Sequence, residues 1–590
     1  MDAHLIRLLE DGATLVTPNR RLARDLARRF DLAQADAGRA AWRSADILPW
    51  EAWLGRCLRL RARDDAALLI PDSLQETALW RRTIEGTTQV PLLDVGAAAR
   101  SARDAHTLRH GWRIDCAGPQ SEDVTAWLDW SRRFEAACRR QGWTDPARRL
   151  DLLAENVRTR APGSCEVLVL YAFDQLSPQE RDFLDACRVG GIEVIERAPA
   201  RNDARVRRVE CVDDEHERRH VAASVRALLS ERPQTRVGIV VPNLAASREA
   251  WMRALDDALQ PSRWLPGRDA APRPYNLSLG RPLSAQPMVH AALALLRLAQ
   301  GTLPLGELGA LLRGPFLGGA ETERMARARL DARLRRLGSP ETSLDTLLRE
   351  VRRSDPGDAA ACRLLAARLQ EWLPRSAAAR GRRQLPSAWS VTFLELCTAL
   401  GWPGERPLDS EEFQTQRKWQ ETVSSLARLD AVLGRVGYAE ALAWLARTAS
   451  DIAYQPESPD VPVQVLGTLE SVGLEFDALF VTGLHDEAFP ESPRPSPFLP
   501  VARQRSADVP HASAEWELAF AQRMLAHWSG AAAQVQLSHP ARQGDRVLRP
   551  SALLAGFESA PAHAWDGGLA ERLRNAARLE IVPDGRGAAR

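Results

Sequence analysis

Apolar runs of strand length and amphipathic stretches of helical length alternate in two parts of the chain. Residues 15–17 form a short apolar run, and Pro18-Asn19 and an arginine-rich amphipathic stretch over residues 20–30 follow it. This pattern predicts a strand, a turn and a helix, with Thr17 as the helix N-cap and Pro18 at the first helical position. Further runs typical of strands in a parallel sheet occur at residues 167–170, 192–195, 237–241, 463–466 and 478–482.

Two long stretches between these runs have a helical pattern without a convincing strand, namely the tryptophan-rich residues 50–150 and residues 300–450. Because strands and helices alternate outside them, the sequence predicts an α/β fold of two doubly wound parallel-sheet domains, each with a helical insertion. The predicted boundaries are residues 1–50 and 151–210 for the first sheet domain, 51–150 for its insertion, 211–300 and 451–560 for the second sheet domain, and 301–450 for its insertion. Residues 561–590 are poor in apolar side chains and are predicted to be a flexible tail.

The composition is that of a multidomain globular protein, because 45% of the 590 residues are apolar and 26% are charged. No apolar run reaches the ~18 residues of a membrane span, and residues 1–12 lack the pattern of a signal peptide. We therefore expect a cytoplasmic protein with no membrane partner. The eight cysteines never form a Cys-x-x-Cys pair, which argues against a zinc clamp or a disulfide framework. The net charge of +2 means that nucleic-acid contacts must come from local arginine clusters.

Lys418 is the single lysine among 79 basic residues, and this limits the nucleotide chemistry that the chain can perform. A phosphate-binding loop needs glycines, whose backbone amides wrap the phosphates, and a lysine that meets the β and γ oxygens. Lys418 lies in the glycine-free segment 416–419, and the larger, rigid fork of arginine does not fit the same role. The sequence therefore contains no phosphate-binding loop, and no cofactor is assigned.

A segment of the second predicted sheet domain resembles the fifth conserved block of UvrD-like superfamily 1 helicases. It runs through residues 473–490 and includes Gly473 and Glu475. Active members of that family place a histidine and a lysine just before this block, where the present chain has Leu469 and Val472. The resemblance implies that the helicase frame is kept without its chemistry.

A second segment, residues 168–179, resembles the magnesium-binding strand of the same helicases and ends in a Leu-Ser-Pro-Gln tail at Gln179. Active relatives have Asp-Glu where Tyr171 and Ala172 stand. Those acids hold Mg²⁺ and polarise the attacking water, which neither a phenol nor a methyl group can do. Asp174 could replace them only through a register shift. The resemblance therefore implies that ATP hydrolysis is lost.

Further segments narrow the resemblance to the AddB/RecC-like inactivated helicases, in particular to the bacterial "probable DNA repair protein" group. These segments are residues 213–229 with 236–243, 275–283, 311–317, and 400–406 with 410–414, and the resemblance spans about residues 13–556. It implies two RecA-like, P-loop NTPase-like domains, each with a helical insertion. Members usually continue into a C-terminal PD-(D/E)xK nuclease, sometimes with an iron-sulfur cluster, but no lysine follows Lys418 and no cysteine follows Cys397. We therefore expect residues 1–590 to lack the nuclease, with 561–590 a flexible tail or a truncated linker to it.

The strongest candidates for DNA binding lie at the start of the first predicted helix. The free amides and the dipole of a helix N-terminus that follows a strand favour an anion, and a DNA phosphate is the obvious one. The candidate residues are Thr17, Asn19, Arg20, Arg21 and Arg24. An arginine-coated outer helix face without a ligand is the alternative.

Three other patterns have simpler structural explanations. Residues 216–220 match the His-Glu-x-x-His zinc motif, but no further ligand motif follows, so a solvated helix surface is expected. Trp127, Trp130 and Phe134 recur at helical spacing among arginines, which indicates core packing rather than base stacking. A salt-bridged helix surface is expected for the charged patch of Arg406, Asp409, Glu411, Glu412 and Arg417.

No catalytic or metal-ligating residue is assigned, and we expect a non-hydrolysing, helicase-like protein of DNA repair or recombination. It would bind or guide DNA, in single-stranded form, beside a helicase or nuclease partner. One alternative is the N-terminal part of a DNA exonuclease or helicase-nuclease whose catalytic domain lies beyond residue 590. Another is a protein-interaction scaffold that keeps the fold without binding DNA.

Overall fold

The computed structural model describes residues 1–64, 69–87, 92–118, 120–157, 165–264, 272–353, 362–456, 461–563, 572 and 575–576. Within these ranges the chain is a mixed α/β protein with one four-stranded and one seven-stranded parallel sheet and a large helical region. The predicted α/β class with two parallel sheets is confirmed.

The strands in the described part of the chain are short, and most belong to the two parallel sheets. They are β1 (Thr14–Thr17), β2 (Asp46–Pro49), β3 (Val167–Tyr171), β4 (Glu193–Arg197), β5 (Arg205–Cys211), β6 (Val237–Val240), β7 (Tyr275–Leu277), β8 (Arg281–Pro282), β9 (Thr302–Pro304), β10 (Glu341–Ser343), β11 (Arg383–Gln384), β12 (Val436–Gly437), β13 (Ala453–Tyr454), β14 (Val463–Leu466), β15 (Phe476–Val481), β16 (Ala532–Pro540), β17 (Arg542–Gln543), β18 (Arg546–Val547) and β19 (Glu558–Ala560).

Along the sequence, the α-helices lie between the strands of the two sheets. They are α1 (Ala3–Glu10), α2 (Arg20–Asp36), α3 (Trp50–Asp64), α4 (Ser73–Glu85), α5 (Val95–Gly111), α6 (Glu122–Arg140), α7 (Arg149–Val157), α8 (Pro178–Val189), α9 (Asp214–Glu231), α10 (Leu244–Leu259), α11 (Pro287–Leu298), α12 (Leu305–Arg313), α13 (Arg324–Arg336), α14 (Leu344–Arg352), α15 (Arg363–Arg380), α16 (Pro386–Ala399), α17 (Ser410–Ser424), α18 (Asp430–Leu433), α19 (Tyr438–Asp451), α20 (Val501–Ser506) and α21 (Ala514–Trp528). In the described ranges, none of these helices has the length and apolar content to cross a membrane.

The first sheet has the strand order β2-β1-β3-β4, with every neighbouring pair parallel. Val16 and Leu170 point to one face, where they pack against α3, α7 and α8. Leu15 and Val169 point to the opposite face, towards α2 and the second sheet. The strands β1, β3 and β4 were predicted, whereas β2 was not, because this half-exposed edge strand begins with an aspartate and ends with a proline.

The second sheet has the strand order β19-β5-β16-β15-β6-β14-β7 and is parallel throughout. The predicted strands at residues 237–241, 463–466 and 478–482 correspond to β6, β14 and β15, which lie in its interior. The other four strands were not predicted. In β5, for example, only Val209 and Cys211 are buried, so the strand lacks the continuous apolar run of its central neighbours.

The two sheets share one hydrophobic core. Leu15 and Val169 of the first sheet belong to the same buried cluster as Leu466 and Leu479 of the second sheet, with Leu26 of α2 among them. Because apolar contact is continuous across this interface, the two sheets pack directly against each other.

The helices between the strands form another large core. This core contains residues of helices α4–α6 and of helices α11–α19. These two groups of helices were predicted to lie in separate insertions. Trp80 stacks on Phe134 with 4.3 Å between ring centroids, and Trp127 and Trp130 are buried near them. The prediction that the tryptophan stripe of α6 packs in a core is confirmed.

Candidate nucleic-acid interface

The helix that carries the predicted DNA-binding residues, α2, has Asn19 as its N-cap and not Thr17. The Asn19 side chain accepts a hydrogen bond from the backbone N–H of Leu22 at 2.9 Å. Thr17 is still part of β1, where it is fully buried, and its hydroxyl donates to the Asn19 carbonyl oxygen at 2.8 Å. The predicted N-cap is wrong because Thr17 is still paired with the neighbouring strand β2. Since its side chain is enclosed, we exclude Thr17 from the interface.

The α2 arginines line a cleft of about 1160 Å³ between α2, the second sheet and α17. Arg20, Arg21 and Arg24 form the α2 wall. Gln464 of β14 belongs to the second-sheet wall, and Lys418 belongs to the α17 wall. The cleft is therefore built by parts of the chain that are far apart in sequence.

Basic side chains outnumber acidic ones in the lining of this cleft. Arg20 and Arg24 are exposed, and neither has a carboxylate partner within the described residues. The basic lining residues are Arg20, Arg21, Arg24, Arg28, Arg236, Arg417 and Lys418, and the acidic ones are Asp25, Glu421 and Glu470. Asp25 pairs with Arg236 at 2.6 Å, and Glu421 pairs with Lys418 at 3.1 Å. The lining of the cleft therefore carries a net positive charge.

Arg21 differs from its two neighbours because it connects α2 to the second sheet. Its guanidinium donates a hydrogen bond to the side-chain oxygen of Gln464. Burial lowers the pKa of Arg21, and the nearby carboxylate of Glu470 opposes that shift. Arg21 therefore helps to hold the walls of the cleft together, whereas Arg20 and Arg24 are open to a ligand.

Four basic residues of the lining were not predicted as DNA-binding from the sequence, namely Arg28, Arg236, Arg417 and Lys418. Arg28 follows Arg20 and Arg24 at intervals of four, which places all three on one side of α2. This helical spacing could have predicted that Arg28 lies beside Arg20 and Arg24. Arg236 and Lys418 reach the cleft from distant segments, and no local pattern could have linked them to α2.

The two segments that resemble helicase motifs meet at the interface of the two sheets. Ala172 directly follows β3 with a φ of 63°, and Gly473 precedes β15 with a φ of 81°. A Cβ atom on Gly473 would lie 2.9 Å from the Cβ atom of Ala172 and 2.7 Å from a methyl group of Leu22. The segments are thus in direct contact, with no room for a ligand between these atoms.

Two carboxylates of these segments are paired with arginines, and the Tyr171 phenol is buried. Glu475 forms an ion pair with Arg29 of α2 at 2.8 Å. Burial, with a contribution from the Glu475 charge, raises the pKa of the Tyr171 phenol to about 12. Asp174 accepts a hydrogen bond from the guanidinium of Arg523 at 2.7 Å, so its carboxylate is held on α21.

The other three helicase-like positions are occupied by one amide and two apolar side chains. Gln179 is buried and donates to the backbone oxygen of Ala147 at 2.8 Å. Val472 packs against the core that the two sheets share. Leu469 is exposed and lines a second pocket of about 350 Å³ at the carboxyl ends of β6 and β14, together with apolar side chains such as Phe520.

The His-Glu-x-x-His segment lies on α9, and the prediction of a solvated surface is wrong for Glu217 and His220. Glu217 accepts hydrogen bonds from the Ser538 hydroxyl at 2.6 Å and from the Gly483 N–H at 2.9 Å. His220 is also buried and contacts the side-chain amide of Gln536. The physical reason is that α9 covers the second sheet with this face, so the motif is part of a helix-sheet contact.

The charged patch before and within α17 is salt-bridged, as predicted. Arg406 pairs with Glu412, which also completes a capping box with Asp409 at the helix N-terminus. Arg417 lies 3.7 Å from Glu421 one turn later. Arg417 also lines the cleft, so this surface is continuous with the α17 wall.

Neither a scan against protein-family models nor a search of curated proteins finds a match for this chain. A function for this chain is therefore inferred from the geometry and charge of the cleft.

Proposed function

We propose that this protein binds single-stranded DNA in the cleft between α2, the second sheet and α17, without hydrolysing ATP. It would act as a helicase-like component of DNA repair or recombination beside a helicase or nuclease partner. The observation that carries the proposal is the pair of exposed guanidiniums, Arg20 and Arg24, which line a cleft of about 1160 Å³ without a carboxylate partner within the described residues. Guanidinium groups are well matched to phosphate oxygens.

The arrangement of charges in the cleft favours a chain of phosphates over a single compact anion. Arg20, Arg24 and Arg28 follow one another along α2 with a rise of about 6 Å at each step. They form a row of positive groups on one wall. The second-sheet wall offers the side-chain NH2 group of Asn276, which can donate to sugars and base edges.

The shape of the cleft favours a single strand over a duplex. Separate parts of the chain line it, among them α2, the edge of the second sheet near β7 and β14, and α17. A single strand can thread through an enclosed groove and turn its phosphates to one wall, whereas a duplex needs a wider, open surface. Single-stranded DNA is therefore the ligand that we propose.

The contact between the helicase-like segments supports the absence of ATP hydrolysis. Tyr171 and Ala172 stand where acids would be needed to hold Mg²⁺, and Ala172 packs closely against Gly473. Asp174 is engaged by Arg523. These features support the proposal that the end of β3 does not provide the carboxylates that nucleotide hydrolysis requires.

Charge reversal on α2 tests the proposed DNA binding. The double variant Arg20→Glu and Arg24→Glu would be compared with the unchanged protein by fluorescence anisotropy, with a labelled oligodeoxythymidine at several salt concentrations. We expect at least tenfold weaker binding. The slope of log affinity against log salt should fall by about 1.4, because about 0.7 is lost per phosphate contact with a single strand.

A matched control separates the local effect from the change in net charge. Arg324 and Arg329 are exposed on α13, away from the lining of the cleft, and reversing both makes the same change in total charge. The control variant should keep at least half of the affinity. Equal losses in the two variants, or unchanged binding in the α2 variant, would show that the cleft does not hold DNA.

A further inference from the structure

A cluster of two imidazoles and two carboxylates lies in the first helical stretch, far along the chain from the residues of the cleft. His106 and His110 are one turn apart on α5, Glu135 is on α6, and Asp145 caps the short helical turn Pro146–Arg148. One potential ligand atom from each residue lies within 4.8 Å of the others. Three separate backbone segments therefore converge on one point.

The surroundings of the cluster are those of a protein core. His106 is fully buried between Trp80 and Phe134, with ring centroids 5.3 Å and 5.6 Å away, and Asp145 is 8% exposed. The Nε2 atom of His106 is 2.7 Å from a carboxylate oxygen of Asp145. Water has little access to these groups, so their polar atoms must be satisfied from within.

Several polar atoms of the cluster are not satisfied by the described residues. The Nε2 atom of His110 is shielded from solvent and has no hydrogen-bond partner there. The Glu135 carboxylate also has no hydrogen bond or ion pair to a described residue. Unpaired buried polar atoms of this kind are uncommon and point to a missing partner such as an ion.

We propose that His106, His110, Glu135 and Asp145 bind one divalent transition-metal ion of the zinc class. Imidazole nitrogen and carboxylate oxygen are ligands that Zn²⁺ accepts in four-coordinate sites, and two carboxylates balance the charge of the ion. Metal bonds of about 2.0–2.2 Å place tetrahedral ligands about 3.4 Å apart. The ligand atoms lie within 4.8 Å of one another, so they must draw closer when an ion binds, and His110 and Glu135 are the two less enclosed residues of the four.

The number of protein ligands indicates a structural ion. Four side chains complete a tetrahedral shell, so no open position is left for a reactive water. Such an ion would fix α5, α6 and the turn at Asp145 relative to one another. It would therefore stabilise the helical region without contributing to DNA binding in the cleft.

Metal titration of the full-length protein tests this proposal. The protein would be treated with a chelator, freed of it and titrated with Zn²⁺ or Co²⁺, with binding followed by calorimetry and by the visible spectrum of Co²⁺. We expect one equivalent to bind and the thermal midpoint of unfolding to rise with metal concentration, because the ion binds only the folded state. The Co²⁺ spectrum should have the intensity of a tetrahedral site.

The variants His110→Gln and Glu135→Gln each remove one ligand from the less enclosed side of the cluster. Each should weaken metal binding at least tenfold and reduce the thermal shift, while Glu122→Gln, an exposed position on the same helix, should change neither. Circular dichroism of the metal-free variants checks that they fold. Absence of stoichiometric uptake by the unchanged protein, or uptake that both ligand variants retain, would overturn the proposal. Binding of oligodeoxythymidine should be the same in all four proteins, so failure here would not be confused with failure of the DNA interface.

Discussion

At the scale of single residues, the buried carboxyl of Glu217 gives a pH-dependent prediction. Burial raises the pKa of Glu217 to about 7 from its ordinary 4.5, although hydrogen bonds from Ser538 and Gly483 oppose the shift. Because the folded pKa is raised, the stabilising contribution is present below about pH 4.5 and is lost as the pH rises through 7. Glu217→Gln keeps an acceptor oxygen and stays neutral. We expect it to be more stable than the unchanged protein at pH 8, by about 3 kcal/mol, and similar at pH 4.5.

Urea unfolding at the two pH values measures this difference. Glu215→Gln is the matched control, because Glu215 is exposed on the same helix and its replacement should not change the pH dependence. If the stability difference between Glu217→Gln and the unchanged protein were the same at pH 4.5 and pH 8, the proton uptake attributed to Glu217 would be wrong.

Which side chains become buried or meet one another was only partly predictable from the sequence. The tryptophan stripe of α6 was predicted because helical periodicity is a local property. The burial of Glu217 was missed, because it depends on strands that pack against it from distant segments. His106 and His110 have the spacing of one helical turn, but their convergence with Glu135 and Asp145 requires the packing of three segments.

At the scale of elements, the loop before β15 packs closely against α2 and against the end of β3. Adding one methyl group at Gly473 tests how close this packing is. Gly473 has a positive φ, and an added Cβ would lie 2.7 Å from Leu22 and 2.9 Å from Ala172. We expect Gly473→Ala to lower the free energy of unfolding by about 2–4 kcal/mol, from backbone strain and overpacking together. Chemical denaturation measures the loss.

Gly12→Ala is the control for the backbone contribution. Gly12 also has a positive φ, of 94°, but no atom lies within 4 Å of its added Cβ. The strain alone should cost about 1 kcal/mol there. Equal losses at the two glycines would mean that the packing of the two sheets at Gly473 is not as close as described.

The strands that were predicted best from the sequence are those that are buried on both faces. Strands β6, β14 and β15 are central in a parallel sheet, so both faces are covered and the apolar run is continuous. The edge strand β2 and the more exposed strand β5 mix polar and apolar residues, and their assignment depends on neighbours that are remote in sequence. The start of α2 was misplaced by two residues for the same reason, because the pairing of Thr17 with β2 decides where β1 ends.

At the scale of the whole molecule, the cleft exists only because distant segments are packed together. The first sheet supplies the helix that follows β1, the second sheet supplies β7 and β14, and the helical region supplies α17. The core shared by the sheets and the core shared by the helices hold these walls in place. A change in the relative position of the sheets would therefore alter the cleft, and a nucleotide that caused such a change would be coupled to DNA binding.

The packed interface between the sheets predicts that such coupling is absent. A nucleotide can change DNA affinity only if it binds two arrangements of the sheets unequally. Here Ala172, Gly473 and Leu22 already fill the contact, and the Arg29–Glu475 pair joins the same two sides. We expect the dissociation constant for oligodeoxythymidine to change less than twofold when ATP and Mg²⁺ are added, and DNA-stimulated phosphate release to stay at the background rate. Both are measured on one preparation, by anisotropy and by a coupled phosphate assay. A DNA-dependent turnover that disappears in the Asp174→Asn variant of this chain would instead show that Asp174 leaves Arg523 to serve as a metal ligand, and the proposed loss of hydrolysis would have to be abandoned.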